Sequence, residues 1–406
     1  MTSKIIVNTI EGDVGVSSVT VASDLNVPGS ITVGNLEGNV TGNVTGNITG
    51  EVNIANKTLA QRNAGVSTAT GALIYNTTSN QLQYWTGQGW VTLSGTSETV
   101  KATGGSSTYN YNGKTIHVFT GTDTFSTTSS WTSPESVEYV MIGGGGAGGE
   151  KDWRGGGGGA GAYKTGTFTI AAHPVATTIT VGGGGAPQYP SAPSSAGNGL
   201  DSSIVNPSTT ITAAGGGMGG AYLAEAAIPG GSGGGGGGYT SLPGGTGSGD
   251  PFPGTVGATP PNGWGHDGGD GATNAEQGAG GGGAGAAGVP NVSASYPSTY
   301  GFGGAGVLIP TTFRDPQNYV GDSRNNWYVG GGGNGGGYPS AVNPLVKTTV
   351  PLGGGGLGGI TYPPAEQGYD GQTNTGSGGG GASGIYNSNT SGNGGSGIVL
   401  IAYNQF

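Results

Sequence analysis

Along residues 34–53, GNLEGNVTGNVTGNITGEVN, apolar and polar positions alternate with strict parity. Leu36, Val40, Val44, Ile48 and Val52 share one side with the intervening glycines, while Asn, Thr and Glu occupy the other. The four-residue repeat is two nested periods of two, the period of a strand. Bulky residues alternating with glycine fit a narrow interior, where each Val or Ile fills space left by a neighbour's Gly. A strand this long far exceeds the roughly 3–10 residues usual in a globular sheet. Three identical chains around one axis solve this, with Leu36, Val40, Val44, Ile48 and Val52 forming the trimer seam.

Further along, the apolar runs are of strand type. Residues 17–27, 72–76 (ALIYN), 81–85 (QLQYW), 90–93 (WVTL), 114–120 (KTIHVFT) and 137–142 (VEYVMI) are rich in β-branched and aromatic residues. Gly, Asn or Ser marks their ends, as at strand boundaries. The TTSN and TGQG connections predict turns joining a three-stranded meander over 72–93. Residues 54–64 carry the best helical pattern, and it is short. Beyond residue 142, strands are predicted at 165–170, 177–181 and 397–403, separated by recurrent glycine runs that start at 143, 155, 182, 215, 230, 278, 330, 353 and 376.

Composition changes the picture for this second part. Of 97 glycines, 17 lie in residues 1–140 and the other 80 beyond. No strict Gly-X-Y period accompanies them, which excludes a collagen triple helix. An ordered glycine run can take the extended left-handed helix of three residues per turn, whose backbone groups pair only with neighbouring runs. Without Cβ atoms such runs approach closely, so a slab of packed polyglycine II helices is expected, with the intervening segments emerging as rim loops. The fold class read from the sequence is all-β: a trimeric fibrous β stalk followed by a glycine-rich domain of strands and polyglycine helices. The division expected is an attachment segment at 1–33, the stalk repeat and connector at 34–70, a small β-hairpin or meander domain at 71–121, and the glycine-rich domain at 122–406.

Charge and chemistry narrow the function. A net charge of −10, with 11 Lys and Arg, argues against nucleic acid. The absence of cysteine removes thiolate chemistry and Cys-bound zinc. No apolar stretch approaches a membrane helix or the apolar region of a signal peptide. NGKT at 112–115 resembles the end of a phosphate loop, but Thr108 stands where its first glycine belongs. GHDGGDG at 265–271 offers aspartates at calcium-like spacing, once and without repetition. The three N-x-[ST] matches at Asn39, Asn43 and Asn47 are by-products of the repeat. No carboxylate pair or metal cluster is legible, so neither catalysis nor a cofactor or metal is expected. What remains is recognition. Trp153, Tyr189, Tyr222, Trp264, Tyr300, Phe313, Tyr319, Trp327, Tyr328 and Tyr362 lie between glycine runs, flanked by Asn, Asp and Pro. Aromatic faces beside amides and carboxylates suit sugars and protein loops; the same rings could instead cover the slab or mediate lattice contacts.

The order of motifs also resembles a known family. TFSTTSSWTSPESVEYVMIGGGGAGG, GGGGGAGAYKTGTFTI, TTITVGGGGA, DSSIV, TITAAGGGMGG and GGSGIVLIAY are similar to the glycine-rich domain of bacteriophage tail fibres and adhesins, over about residues 122–406. SKIIVNTIEGD, the GNVT repeat and LIYNTTSNQLQYWTGQGWVTL resemble fibre stalk segments of tailed phages, notably cyanophages. The resemblance implies a homotrimeric, extracellular virion protein. It would join other tail or baseplate proteins through its N-terminus and bind a glycan or outer-membrane protein receptor on the host through its rim loops. A self-assembling fibril or virion decoration protein without a receptor is the alternative. The resemblance carries no catalytic residue, no membrane insertion and no particular receptor.

Overall fold

The computed structural model describes residues 54–64, 70–93, 100–149, 154–187, 197–221, 226–239, 241–247, 263–291, 301–324, 327–337, 351–360, 367–383 and 390–405. The chain divides into two compact units, Met1–Asn56 and Lys57–Phe406, and the description below concerns the second. Strand far exceeds helix among the described residues, in agreement with an all-β reading.

Its first part is small. After β1 (Asn56–Lys57) comes α1 (Leu59–Asn63), started by a capping box in which Thr58 and Gln61 bond each other's backbone N–H. β2 (Leu73–Asn76), β3 (Gln81–Trp85) and β4 (Trp90–Thr92) form the antiparallel meander expected from the sequence, with Leu73 opposite Tyr84 and Trp85 opposite Trp90. Asn80 (φ 53°) and Gly87 (φ 94°) occupy the left-handed positions of the two turns. One face of this sheet buries Ile74 and Asn76 of β2 together, and the Asn76 amide donates to Gln83 Oε1 at 3.1 Å. Arg62 of α1 reaches the same oxygen at 3.0 Å and ties the helix to the sheet.

The main body holds β5 (Ala102–Thr103), β6 (Ser107–Tyr111), β7 (Lys114–Phe119), β8 (Asp123–Thr127), β9 (Glu135–Ile142), β10 (Tyr163–Ile170), β11 (Ala176–Thr180), β12 (Ser202–Asn206), β13 (Thr209–Ala213), β14 (Val307–Leu308), β15 (Tyr328–Val329) and β16 (Ile398–Asn404). Two five-stranded antiparallel sheets result, ordered β10-β9-β16-β7-β6 and β13-β12-β11-β8-β5. Residues 102–119, grouped by sequence with the meander, therefore pair with strands of the glycine-rich region: β5 with β8, and β7 with β16. Long-range pairing partners, here nearly 300 residues apart, leave no local mark in a sequence.

Alternate residues explain the apolar runs. Val137, Tyr139 and Met141 of β9, with Val399, Ile401 and Tyr403 of β16, face Phe125, Trp131, Ile179 and Ile204 in the core between the sheets. The intervening Val140, Ile142, Ile398, Leu400 and Ala402 face the opposite way, against Val307, Ile309, Phe313 and Val329. Strands covered on both faces read as continuous apolar runs, which is why VEYVMI and IVLIAY show no alternation.

His117 sits inside the core, between Phe119, Phe125 and Tyr403. Its Nδ1 donates to the Gly104 carbonyl at 2.6 Å, leaving Nε2 to accept from the Tyr403 hydroxyl at 3.2 Å. Burial holds its pKa below the ordinary value, partly opposed by the Gly104 carbonyl. The folded protein keeps a neutral ring, whereas the unfolded chain takes up a proton as pH falls through about 6.5. This contribution to stability is complete above that pH and is lost below it, toward the depressed folded value. The melting temperature should therefore fall between about pH 7.5 and 5.5, before carboxylates titrate. A His117→Gln variant should give a flatter profile over this window by differential scanning fluorimetry.

Glycine segments extend from the ends of the strands. Residues 143–149 continue β9 and residues 154–162 lead into β10. Gly143, Gly146 and Gly149 donate to the carbonyls of Ala162, Gly159 and Gly156. Gly144 and Ala147 donate instead to Leu200 and Gly197, and Gly145 and Gly148 to Gly395 and Gly392. In return Gly216 and Gly219 donate to Gly144 and Ala147, Gly185 to Gly145, and Gly379 and Ala382 to Gly146 and Gly149. Successive residues thus bond in different directions, and each direction recurs every third residue. Six neighbouring segments surround 143–149. Segment 155–162 is bonded in the same way, donating to segments at 376–382, 214–220 and 279–282 and accepting from those at 333–336, 143–149 and 232–235.

Only glycine permits this spacing at most positions. A Cβ on Gly145 would overlap the Ser377 carbonyl, and one on Gly158 the carbonyls of Gly146 and Ala147. Ala147, Ala160, Ala162, Ala279 and Ala382 are buried at positions where a methyl group is accommodated. Asp and Asn side chains supplement the backbone bonding. Asp201 accepts from Gly215 N–H at 2.8 Å, Asn198 from Met218 at 2.9 Å, Asn334 from Gly303 at 2.8 Å and Asp370 from Asn393 at 2.7 Å.

Candidate recognition surface

The aromatic residues expected to mark rim loops have different fates. Trp153, Tyr189, Tyr222, Tyr300 and Tyr362 lie outside the described residues, as do the seam residues Leu36, Val40, Val44, Ile48 and Val52. Phe313 is fully buried in the outer core beneath β16, which corrects its assignment to a binding loop. It sits in a single 3-10 turn, Thr311–Phe313, that places the ring against the sheet. Trp264 is half-buried and stacks on Tyr163 at 6.0 Å, while the two residues exchange backbone hydrogen bonds of 2.9 and 2.8 Å. Trp327, held at φ 61°, packs its ring against the same outer core and lies 5.4 Å from Tyr319. Tyr328 is half-buried in β15. Tyr319 is 58% exposed, and among these described aromatics it alone offers solvent most of its surface. An aromatic residue in a polar segment looks the same in sequence whether it seals a core or faces water.

A cleft of about 430 Å³ opens beside this surface, between the β2–β3 turn, strand β6 and the turn at 315–318. Tyr109 and Tyr111, two apart on β6, share one side of the strand and line it. Across from them stand Asp315, Gln317 and Asn318. Asp315 is buried; its carboxylate accepts from Gln317 N–H at 2.9 Å and from the Asn318 amide at 2.6 Å. The Tyr109 hydroxyl is buried, and its pKa is raised chiefly by desolvation and secondarily by the charge on Asp315. Sequence reading missed Tyr109, Tyr111 and Asn80 as surface candidates, because the walls come from segments more than 200 residues apart. The signal available was STYNY at 107–111, whose tyrosines alternate with polar residues.

Other chemistry is accounted for structurally. The two aspartates of GHDGGDG act as backbone acceptors: Asp267 takes Gly247 N–H at 2.7 Å and Asp270 takes Gly244 N–H at 2.9 Å. No group of His, Asp and Glu suited to a metal ion occurs among the described residues, and no helix there is long and apolar enough to cross a membrane. Lys114 pairs with Glu138 at 2.9 Å, and Glu138 also accepts from Thr312 at 2.7 Å, linking β7, β9 and the segment that covers the outer core. These contacts hold the Glu138 pKa below the ordinary carboxylate range despite the opposing effect of burial.

The profile of the glycine-rich domain family matches residues 120–404, well over half of the chain, and the protein belongs to that family. No curated protein matches it.

Proposed function

We propose that this protein is a fibre-type adhesin of a bacteriophage virion, acting by binding and not by catalysis. In this reading residues 1–33 attach to the tail or baseplate, the GNVT repeat forms a homotrimeric stalk, and the glycine-rich domain meets a receptor on the host surface. The glycine segments are polyglycine II helices in a close-packed array. The observation that carries the reading is the three-residue recurrence of inter-segment hydrogen bonds, the pairing such helices require. A body bonded backbone to backbone, with small side chains inside, leaves parts of the intervening segments free of core duties, while Phe313, Trp264 and Trp327 pack inward. Those segments are where the sequence concentrates Tyr, Trp, Asn and Pro, and a rigid scaffold carrying variable loops is the usual arrangement for recognition. The sequence resemblance to phage fibres supports the virion assignment.

Adsorption of fluorescently labelled full-length protein to candidate host cells tests the function; failure to adsorb to any of them would favour the purely structural role. The stalk has its own test. Val44→Asp places a charge on the apolar side of the repeat and should reduce the trimer to monomer in mass photometry. Thr45→Asp, on the polar side, should leave it intact, and equal behaviour of the two variants would refute the seam.

A further inference from the structure

We propose that the cleft between the β2–β3 turn, β6 and the 315–318 turn binds a neutral, polyhydroxylated saccharide. The inference rests on the adhesin reading and gives it a ligand class.

Size comes first: 430 Å³ lies within the roughly 300–1,000 Å³ of small-ligand sites. Chemistry then removes the alternatives. Among the described residues neither Lys nor Arg lines the cleft, and Asp315 is the one charged side chain there, so phosphate, sulfate and nucleic acid are disfavoured. Hydroxyls of Thr78 and Ser79 and amides of Asn80, Gln81, Gln317 and Asn318 make the lining too polar for an apolar guest. Amides present donor and acceptor side by side, matching vicinal sugar hydroxyls. The Tyr109 and Tyr111 rings supply the flat apolar surface that the C–H face of a pyranose covers.

Both walls are held before any ligand arrives. Asn76 Oδ1 accepts from Thr78 N–H at 3.0 Å and Ser79 N–H at 3.4 Å, fixing the β2–β3 turn. The Asp315 carboxylate fixes the opposite turn through Gln317 and Asn318, and Asn318 N–H also reaches the Asp315 carbonyl at 3.1 Å. Walls fixed in this way lower the ordering cost of binding. Tyr319 follows directly after Asn318, so the cleft is continuous with the exposed aromatic surface.

The test uses the full chain with maltotriose, chitotriose and raffinose in saturation-transfer NMR titrations. At least one should bind. Gln317→Ala and Tyr111→Ala should each weaken it roughly ten- to hundredfold, the loss expected for one good polar or stacking contact. Val100→Ala, at an exposed position away from the cleft lining, should leave saccharide affinity unchanged. Gln317→Ala removes only an amide on a turn held by backbone N–H groups, so its effect cannot be ascribed to misfolding. Absence of binding by all three sugars, or equal binding by wild type and both cleft variants, overturns the proposal. On cells that the protein adsorbs to, periodate treatment should abolish adsorption. Adsorption that survives periodate but not protease would identify a protein receptor, overturning the saccharide site while leaving the adhesin reading intact. Cleft-dependent sugar binding by a protein that adsorbs to no cell would do the reverse.

Discussion

Gly158→Ala is expected to be among the most damaging single substitutions in this chain. The added methyl group would meet the backbone carbonyls of Gly146 and Ala147, and neither can turn aside as a side chain could. Gly158 itself donates to Gly379 and accepts from Gly333, so any displacement propagates to two further segments. Overpacking a core of flexible side chains costs about 1–3 kcal/mol. A barrier made of backbone should exceed that range and leave no cooperatively melting protein at 25 °C. Gly121→Ala is the control: no atom lies within 4 Å of its added Cβ, and its melting temperature should stay near wild type. Equal melting of the two variants would show that the tight packing around 143–162 is not what stabilises the domain.

Deletion of residues 398–406 should be as severe, although it removes only the last segment of the chain. β16 lies in the middle of its sheet, between β9 and β7, and Val399, Leu400 and Ile401 are each at most 1% exposed. Its loss uncovers both apolar faces at once and leaves two internal strand edges unpaired, a state that aggregates. Each buried side chain of this kind contributes about 1.5–3 kcal/mol, so the summed loss is comparable with the roughly 5–15 kcal/mol typical of a whole domain. The truncated chain should be insoluble, or elute from size exclusion as aggregate. A soluble, folded product lacking these residues would refute the central placement of β16.

Much of the strand inventory was legible. QLQYW, KTIHVF and VEYVMI announce themselves through β-branched and aromatic residues between turn formers, and the Asn80 and Gly87 turns follow from residue types that accept positive φ. The segment STYNY was harder, since its residues are mostly polar and only pairing with β7 makes it a strand. Of the aromatic residues proposed from the sequence for a recognition surface, those that the structure describes differ widely in exposure. Phe313 and Tyr319, six residues apart in one polar segment, have opposite exposures because the chain turns at Thr311–Phe313 and lays one ring on the sheet.

The sequence by itself determined that the chain is β-rich, that its glycines crowd beyond residue 140, and that no thiol chemistry is available. Composition and period depend on each residue and its immediate neighbours, so they can be read without a fold. Tertiary structure decided which segments meet. It joined β7 to β16, set six segments around 143–149, and brought Tyr109 opposite Asp315. Glycine has no side chain to encode a partner, so the pairing of its runs is settled only when strands of distant origin anchor their ends and backbone groups bond to whatever lies alongside.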